Sequence, residues 1–311
     1  MSPRFLVIGE ALIDVVDRDG ELSRHVGGSP LNVAFGLGRL GVRTVFATEF
    51  GNDADGAAIA AHLASAGVEI ARTDDGSRPT STALARIGAD GSASYEFDID
   101  WTFRTAPSID DVHAVHVGSI GAFRAPGGPR VLELIESLPS DVLVGFDPNI
   151  RPALMPSREE SRRLVERFAA RATIVKLSDE DAEWLYPGRA DEVPGILLAQ
   201  GARLIAITRG AEGSTLHSPG ASVHVPARPT VAVDTIGAGD AYMSGLLAAI
   251  AAPSGMVTAL EELTAADLAA IGRMAATSAA ITVGRAGAMP PTADELERAE
   301  RAPNDPPPSG L

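Results

Sequence analysis

The stretch Val231-Ala-Val-Asp-Thr-Ile-Gly-Ala-Gly-Asp-Ala-Tyr-Met-Ser-Gly-Leu-Leu-Ala-Ala-Ile250 decides how the rest of the chain is read. Val231 and Val233 read as the end of a buried strand, which Asp234-Thr235 interrupts. Gly237-Ala238-Gly239 makes a tight turn with little side-chain bulk. Ala241 to Ala252 is mostly apolar and rich in helix formers, which predicts a helix. A strand, a glycine turn and a helix start together form an anion site, because free N–H groups and the macrodipole favour negative charge there. Asp240 instead places a carboxylate at that point. Such a group is useful if it accepts a proton from a hydroxyl attacking a phosphate while the surrounding N–H groups hold the developing charge. Asp is also a common helix cap and Gly a common turn residue, so the remaining sequence has to separate the two readings.

At 311 residues the chain is long enough for one large α/β domain, or a domain with an appendage. It is 45% hydrophobic and 22% charged, with a net charge of −15, which argues against general nucleic-acid binding. A phosphorylated ligand is still compatible with local arginines and glycine turns. The chain has no cysteine, so it has no disulfide, no thiolate metal site and no cysteine nucleophile. Phe5-Leu-Val-Ile8 runs at once into Glu10 and reads as a first buried strand rather than a signal peptide. No run approaches the roughly 18 apolar residues of a membrane span. A soluble, cytoplasmic protein is the expectation.

The first strand is followed by no Gly-x-Gly-x-x-Gly, so a dinucleotide-binding reading loses its main support. Extended segments at 11–16 and 21–26 flank a turn at Asp17-Arg-Asp-Gly20. In Gly27-Gly-Ser-Pro-Leu-Asn-Val-Ala34, Ser29 and Pro30 look like an N-cap and a first helical residue. That helix runs to Leu40, where Gly41 stops it. A strand at 42–48, a helix at 55–66 and a short strand at 68–70 follow. Residues 80–98 alternate apolar and polar around Asp90-Gly91, a hairpin signal. Together with 11–26 this hairpin is expected to form a small β-sheet lid. Strands are predicted at 114–118, 142–146, 173–177 and 204–208, with a short hairpin partner at 221–225. Helices are predicted at 130–138, 158–170 and 263–283, the last broken near Asp267. The Pro-rich tail from Pro303 is expected to be disordered. Alternating strands and helices predict a mostly parallel sheet covered on both faces, with ligands beyond the carboxyl ends of the strands. Asp14, Ser119, Asp147, Ser178, Gly210 and Asp240 all follow strands in this reading.

Asp234-Thr-x-Gly-Ala-Gly-Asp240 ahead of an apolar helix resembles the C-terminal signature of the PfkB, or ribokinase-like, carbohydrate kinases. Gly27-Gly-Ser-Pro-Leu-Asn-Val-Ala34 resembles their N-terminal glycine signature. Val117-Gly-Ser-Ile120 and Asp147-Pro-Asn-Ile-Arg151 are similar to fructokinase-like members, and the latter also to 2-keto-3-deoxygluconate kinases. The resemblance spans roughly residues 5 to 290 in the expected order. It implies a three-layer α/β/α domain with a mostly parallel central sheet (1–10, 27–78 and 105–302), a β-lid (11–26 and 79–104) and a tail (303–311).

The resemblance also implies an ATP-dependent kinase acting on a sugar hydroxymethyl group, with D-fructose the leading substrate. Asp240 matches the general base, and Gly237, Ala238 and Gly239 match the anion hole. Asp14, Gly27, Gly28 and Asn32 match sugar-binding positions, and Asn52 and Ser119 are further candidates. Arg151 is the candidate partner for phosphate, since a guanidinium offers a fork of donors. Lys176, Ser178, Thr208, Gly210, Gly213, Thr235 and Ala276 are candidates on the nucleotide side. The adenine is expected between the Thr208-Arg-Gly210 turn and Ala276 and Ala280.

Ser178-Asp-Glu-Asp181 stands where the family has Asn-x-x-Glu, so the resemblance implies that Asp181 would hold Mg²⁺ through water with a side chain one methylene shorter, with Asp179 and Glu180 as alternatives. Asp234 and the Ile236 carbonyl would match a K⁺ site facing the Arg285–Ala288 loop. The partners implied are a small sugar and ATP, with neither nucleic acid nor membrane, and the lid offers a homodimer face. A sugar-acid kinase is the nearest rival, with Arg86 or Arg104 facing the acid. A regulator that binds sugar or nucleotide without chemistry is the rival of a different class.

Overall fold

The computed structural model describes residues 3–18, 20–87, 93–251 and 263–301. The expected Asp90-Gly91 turn, the end of the helix at Ala252 and the tail from Pro303 lie outside the described residues. The strands are β1 (Arg4–Ile8), β2 (Leu12–Arg18), β3 (Glu21–Gly27), β4 (Arg43–Thr48), β5 (Glu69–Arg72), β6 (Thr82–Ile87), β7 (Ala93–Asp98), β8 (Val112–Gly118), β9 (Leu143–Asp147), β10 (Ile174–Ser178), β11 (Leu204–Thr208), β12 (Ser214–His217) and β13 (Ser222–Val225). The helices are α1 (Ser29–Arg39), α2 (Ala54–Ser65), α3 (Ser119–Phe123), α4 (Gly127–Ser137), α5 (Arg158–Ala169), α6 (Asp179–Leu185), α7 (Val193–Gln200), α8 (Ala238–Ala251), α9 (Ala265–Val283) and α10 (Ala293–Arg301).

Nine strands form the main sheet in the order β13-β12-β11-β10-β9-β8-β1-β4-β5. From β11 to β5 every pairing is parallel, while β12 and β13 close the edge antiparallel. Alternate residues of each strand enter opposite cores, as the two-residue period of a strand requires. Leu6 and Ile8 of β1 join Val144, Phe146, Val175 and Leu177 under α4 to α7. Phe5 and Val7 join Phe46, Ala206 and the inner faces of α1, α2, α8 and α9. Both faces of the central strands are therefore dry, which explains near-continuous apolar runs such as Phe5–Ile8. Fully buried side chains of this kind, Phe146 among them, contribute about 1.5–3 kcal/mol each.

A second sheet, ordered β3-β2-β6-β7, stands beside the main one. Its β2–β6 pairing is parallel and its outer pairings antiparallel. Leu12, Ala83 and Phe97 of this sheet pack with Ile99, Ile120 and Leu154. Arg24 of β3 reaches the body through an ion pair to Asp55 in the first turn of α2. Leu22 and Tyr95 are exposed.

Three local expectations are corrected. Val231 and Val233 do not end a buried strand. They lie on a loop at 69% and 62% exposure, tied to the end of α9 by Val233 N–H and Asp234 N–H donating to the Val283 carbonyl. The sheet already ends at β13, so no strand partner remains for them. α8 begins at Ala238 rather than Ala241, which puts Ala238, Gly239 and Asp240 inside its first turn. α9 is unbroken at Asp267, which is the third residue of a capping box with Thr264 and so marks the start of the helix. Four helices, α3, α6, α7 and α10, were not among those expected from sequence.

Candidate active site

The carboxyl ends of β8, β9, β10 and β11 converge on one edge of the sheet, and α8 points its N-terminus at the same place. Ser119 follows β8, Asp147 ends β9, Ser178 ends β10 and Gly210 follows β11. Asp14 differs: it lies within β2, so the small sheet carries it to the cleft.

Two clefts meet at Gly239 and Thr235. The first, about 340 Å³, is lined by Glu10, Asp14, Gly28, Ser29, Asn32, Ser119, Asn149, Arg151, Gly237 and Asp240, with Leu12, Ala83, Phe97 and Ile120 as its apolar wall. The second, about 590 Å³ and mostly apolar, runs between Thr208, Gly210, Gly213 and Ala276, Ala280 and Val283, with Thr235 and Gly239 at its inner end. A third depression connects them and carries Arg151, Lys176, Ser178, Asp179, Glu180 and Asp181. A polar cleft and an apolar slot separated by a glycine turn suit two ligands that meet at one reacting group.

Asp240 is 7% exposed and accepts hydrogen bonds from two residues of α1. Ser29 Oγ donates to Oδ1 at 2.6 Å, and Asn32 Nδ2 donates to Oδ2 at 2.8 Å. Contrary to expectation, Ser29 therefore does not cap its own helix. Gly28 is the N-cap, at φ 109°, and no side chain caps α1. A Cβ at Gly28 would lie 2.7 Å from the Glu10 carbonyl, so the backbone turn needs glycine there. Gly27 packs close to Asp14, a Cβ on it lying 2.9 Å from Asp14 Cγ, although there the neighbour is a side chain rather than backbone.

Gly237 has φ 73°, and a Cβ on it would lie 2.9 Å from Ala288 Cα. The glycine turn thus rests directly on the 285–288 loop. Asp234 fastens the same two segments, accepting from Ile236 N–H at 3.0 Å and Gly287 N–H at 2.9 Å. These N–H donors, Ile236 first and then Gly287, hold its carboxyl below the usual carboxylate range.

Lys176, a candidate on the nucleotide side, is buried rather than solvated at its strand end. Its Nζ lies 2.9 Å from Asp147 Oδ2, and a Cβ on Gly239 would sit 3.1 Å from that Nζ. Burial raises Asp147 to about 6, with Lys176 pulling against it. Burial opposes the charge on Lys176 too, but Asp147 and Asp181 outweigh it and hold the ammonium above its ordinary range.

Asp181 is the third residue of a capping box at the start of α6. Its Oδ2 accepts from Ser178 N–H at 3.0 Å and its Oδ1 from Ile150 N–H at 2.9 Å. It therefore ties the start of α6 to the loop after β9. Asp179 and Glu180 are the exposed carboxylates of that turn. Among the described residues no group of three or more His, Asp or Glu is arranged to hold a metal ion.

Asn52 is not brought to the cleft. It faces the 74–76 turn, its Nδ2 at 3.5 Å from the Asp75 carbonyl. Asp53 beside it caps α2 and accepts from Thr80, so the loop is spent on joining β4 to the small sheet. Arg86 and Arg104 lie elsewhere as well, paired with Glu96 and Asp75.

Three lining residues were not expected as site residues. Ser29 was read as a cap. Asn149 stood in a quoted motif without a role. Its φ of 39°, like the 49° of Ser119 on the neighbouring strand end, is left-handed, a costly conformation for a residue with a side chain. Two such residues side by side aim polar groups into the cleft. Glu10 directly follows β1 and is 2% exposed. Gly121 N–H donates to its Oε2 at 2.7 Å, while Oε1 has no hydrogen-bond partner. Burial pushes Glu10 up to about 7, against the opposing pull of Ser119 and Gly121. Burial likewise raises Asp14, with His25 and then Arg151 opposing.

The profile of the pfkB family carbohydrate kinases matches residues 3–295. The chain belongs to the pfkB family of carbohydrate kinases. This pfkB kinase is 34% identical to a fructokinase of Klebsiella pneumoniae over 96% of its own length and 99% of that protein. Its fold is similar to that of a Xylella fastidiosa fructokinase solved with bound ATP, at a TM-score of 0.85 and 27% identity, covering 96% of this chain and 98% of the other. It is also similar to an aminoimidazole riboside kinase of Salmonella enterica, at 0.79 and 26%, covering 95% and 99%. The pfkB kinase fold thus carries both a fructokinase and a riboside kinase, and the lining of the polar cleft has to distinguish them. Among its described residues no helix is long and apolar enough to cross a membrane.

Proposed function

We propose that this chain transfers the γ-phosphoryl group of ATP to a hydroxymethyl group of a neutral sugar, D-fructose being the leading substrate and fructose 6-phosphate the product. The observation that carries the reading is the position of Asp240. It is a buried carboxylate in the first turn of α8, lining the polar cleft directly after the glycine turn. In this reading the sugar occupies the polar cleft, with Asp14, Asn32 and Ser119 taking its hydroxyls. The base sits in the turn itself: Asp240 takes the proton of the attacking hydroxyl as its oxygen bonds to phosphorus. The Gly237-Ala238-Gly239 N–H groups hold the charge on the phosphoryl oxygens, and Lys176 beneath Gly239 adds a fixed positive charge. Arg151, exposed between the sugar cleft and the acidic depression, bridges to the transferred group.

The adenine fits the mostly apolar slot between Gly210 and Ala276. Mg²⁺ is assigned to the acidic turn Asp179–Asp181 through water, where it would screen the phosphate charge. K⁺ is assigned to the Asp234 and Ile236 segment, whose link to Gly287 shapes the glycine turn. The small sheet serves as the lid that excludes water as the competing acceptor. Its exposed Leu22 and Tyr95 are the face of a homodimer.

A neutral substrate is favoured over a sugar acid. Arg151 is the single cationic side chain lining the polar cleft among the described residues, beside Glu10, Asp14 and Asp240. Arg86 and Arg104, the further cations that could have faced a sugar acid, are paired elsewhere. An ADP-release screen with Mg²⁺ and K⁺ over fructose, ribose, 2-keto-3-deoxygluconate, inositol and nucleosides tests the assignment. Fructose is expected to give the highest kcat/KM. Preference for the acid or a nucleoside would move the substrate assignment. Binding of sugar without turnover would make the chain a regulator.

A further inference from the structure

Each oxygen of the Asp240 carboxylate is taken by a different side chain from one turn of α1, Ser29 Oγ at 2.6 Å and Asn32 Nδ2 at 2.8 Å. A serine at the start of a helix ordinarily bonds the backbone of its own first turn. Here Gly28 fills the N-cap position and α1 has no side-chain cap, so the Ser29 hydroxyl is spent on a carboxylate 211 residues away. The two helices are held in place further along. A Cβ on Gly36 of α1 would lie 2.8 Å from Ser244 Cβ of α8, so the helices touch backbone to side chain at that crossing and cannot slide apart without losing it. Asp240 itself turns about a terminal torsion with a broad preference. One donor would leave the plane of its carboxylate free to swing. Two donors on opposite oxygens fix that plane.

We propose that Ser29 is a positioning residue which, together with Asn32, clamps the Asp240 carboxylate so that an unshared electron pair stays turned toward the acceptor hydroxyl. The inference rests on Asp240 being the general base. Bonds from neutral donors to a carboxylate at these lengths are the strong, charge-assisted kind, so the clamp persists when the sugar enters. Its removal leaves the charge in place and loses only the aim.

Three variants test this, Ser29→Ala, Ser29→Thr and Asp240→Asn, with the sugar that the parent enzyme turns over fastest. Ser29→Ala is expected to lower kcat about tenfold, because small errors of aim at a reacting group are costly, and to leave both KM values within about twofold. Sugar-free ATP hydrolysis is expected to rise relative to sugar phosphorylation. Ser29→Thr, which restores a hydroxyl, is expected to return kcat to within about threefold of the parent. An unchanged kcat in Ser29→Ala, or a Thr variant no better than Ala, overturns the clamp. A raised sugar KM at unchanged kcat also overturns it and makes Ser29 a sugar ligand. Asp240→Asn separates the two levels: parental turnover in that variant overturns the base assignment and the clamp with it. An inactive Asp240→Asn beside an unaffected Ser29→Ala overturns the clamp alone.

Discussion

Lys176 Nζ lies 2.9 Å from Asp147 Oδ2 with the two side chains 4% and 1% exposed, directly beneath Gly239 of the glycine turn. A buried pair of this kind contributes little net stability against an apolar pair, but loss of one partner strands a charge. Lys176→Met is expected to destabilise the protein by about 3–5 kcal/mol, read by urea or thermal unfolding. Lys176→Met combined with Asp147→Leu is expected to recover most of that loss. The double variant should still be slow in phosphoryl transfer, because the positive charge under the proposed anion hole is gone. Parental kcat in a stable double variant would show the pair to be structural only.

Gly237 and Gly239 are both glycines of the proposed anion hole but meet different neighbours. Gly237 combines a positive φ with a Cβ direction blocked by Ala288 backbone, whereas Gly239 would meet only the flexible end of Lys176. Gly237→Ala is expected to reduce kcat at least about 100-fold by distorting the turn, in line with the loss of an oxyanion donor. Gly239→Ala should cost clearly less. Equal effects in the two variants would contradict the backing role of the 285–288 loop.

Glu10 makes stability depend on pH. Its carboxyl is raised from 4.5 to about 7 by burial, so the folded state binds its proton more tightly than the unfolded chain. Stability then falls as pH rises from about 4.5 to 7, and the full penalty, on the order of 3 kcal/mol, persists above that range. Glu10→Gln should therefore raise Tm relative to the parent at pH 8 and have little effect at pH 5. A Tm difference that does not change between these values would contradict the shift.

Arg151 sits at the junction of the polar cleft and the acidic depression. Arg151→Ala is expected to lower kcat about 10–100-fold, the range for losing one charge-stabilising contact in the transition state. Arg151→Lys should recover only part of this, because an ammonium lacks the planar fork. Circular dichroism and thermal unfolding should remain parental, since the side chain is exposed. A loss of stability instead would assign Arg151 to the loop after β9.

Much of the framework was legible along the chain. The apolar runs Phe5–Ile8, Val142–Phe146 and Leu204–Thr208 announced strands dry on both faces, because only a covered parallel sheet can use them. Alternation at 80–98 announced a second sheet of a different kind. Gly27-Gly28, Asp147–Arg151 and Gly237–Asp240 marked the loops of the cleft, because glycine and carboxylate at strand-to-helix turns are costly unless backbone or charge must approach a ligand. What short-range pattern could not supply was the burial of a group by distant residues. Lys176 reads locally as a strand-end cation, and Asp147 at the end of the adjacent strand β9 pairs with it. Ser29 reads as a cap until Asp240 arrives from the far end of the chain. Asn52 follows a strand like the other candidates, yet its loop turns away to brace the small sheet. Val231 and Val233 look like strand until β13 has closed the edge.

The sequence by itself determined the layers, the small second sheet and the loops that line the cleft, because periodicity and backbone permissiveness are local properties of residues. Only the tertiary structure decided that Asp240 is gripped by Ser29 and Asn32, that Lys176 backs Gly239 and that Arg86 and Arg104 stand apart. Those are relations between segments far apart in the chain, and packing rather than propensity sets their distances.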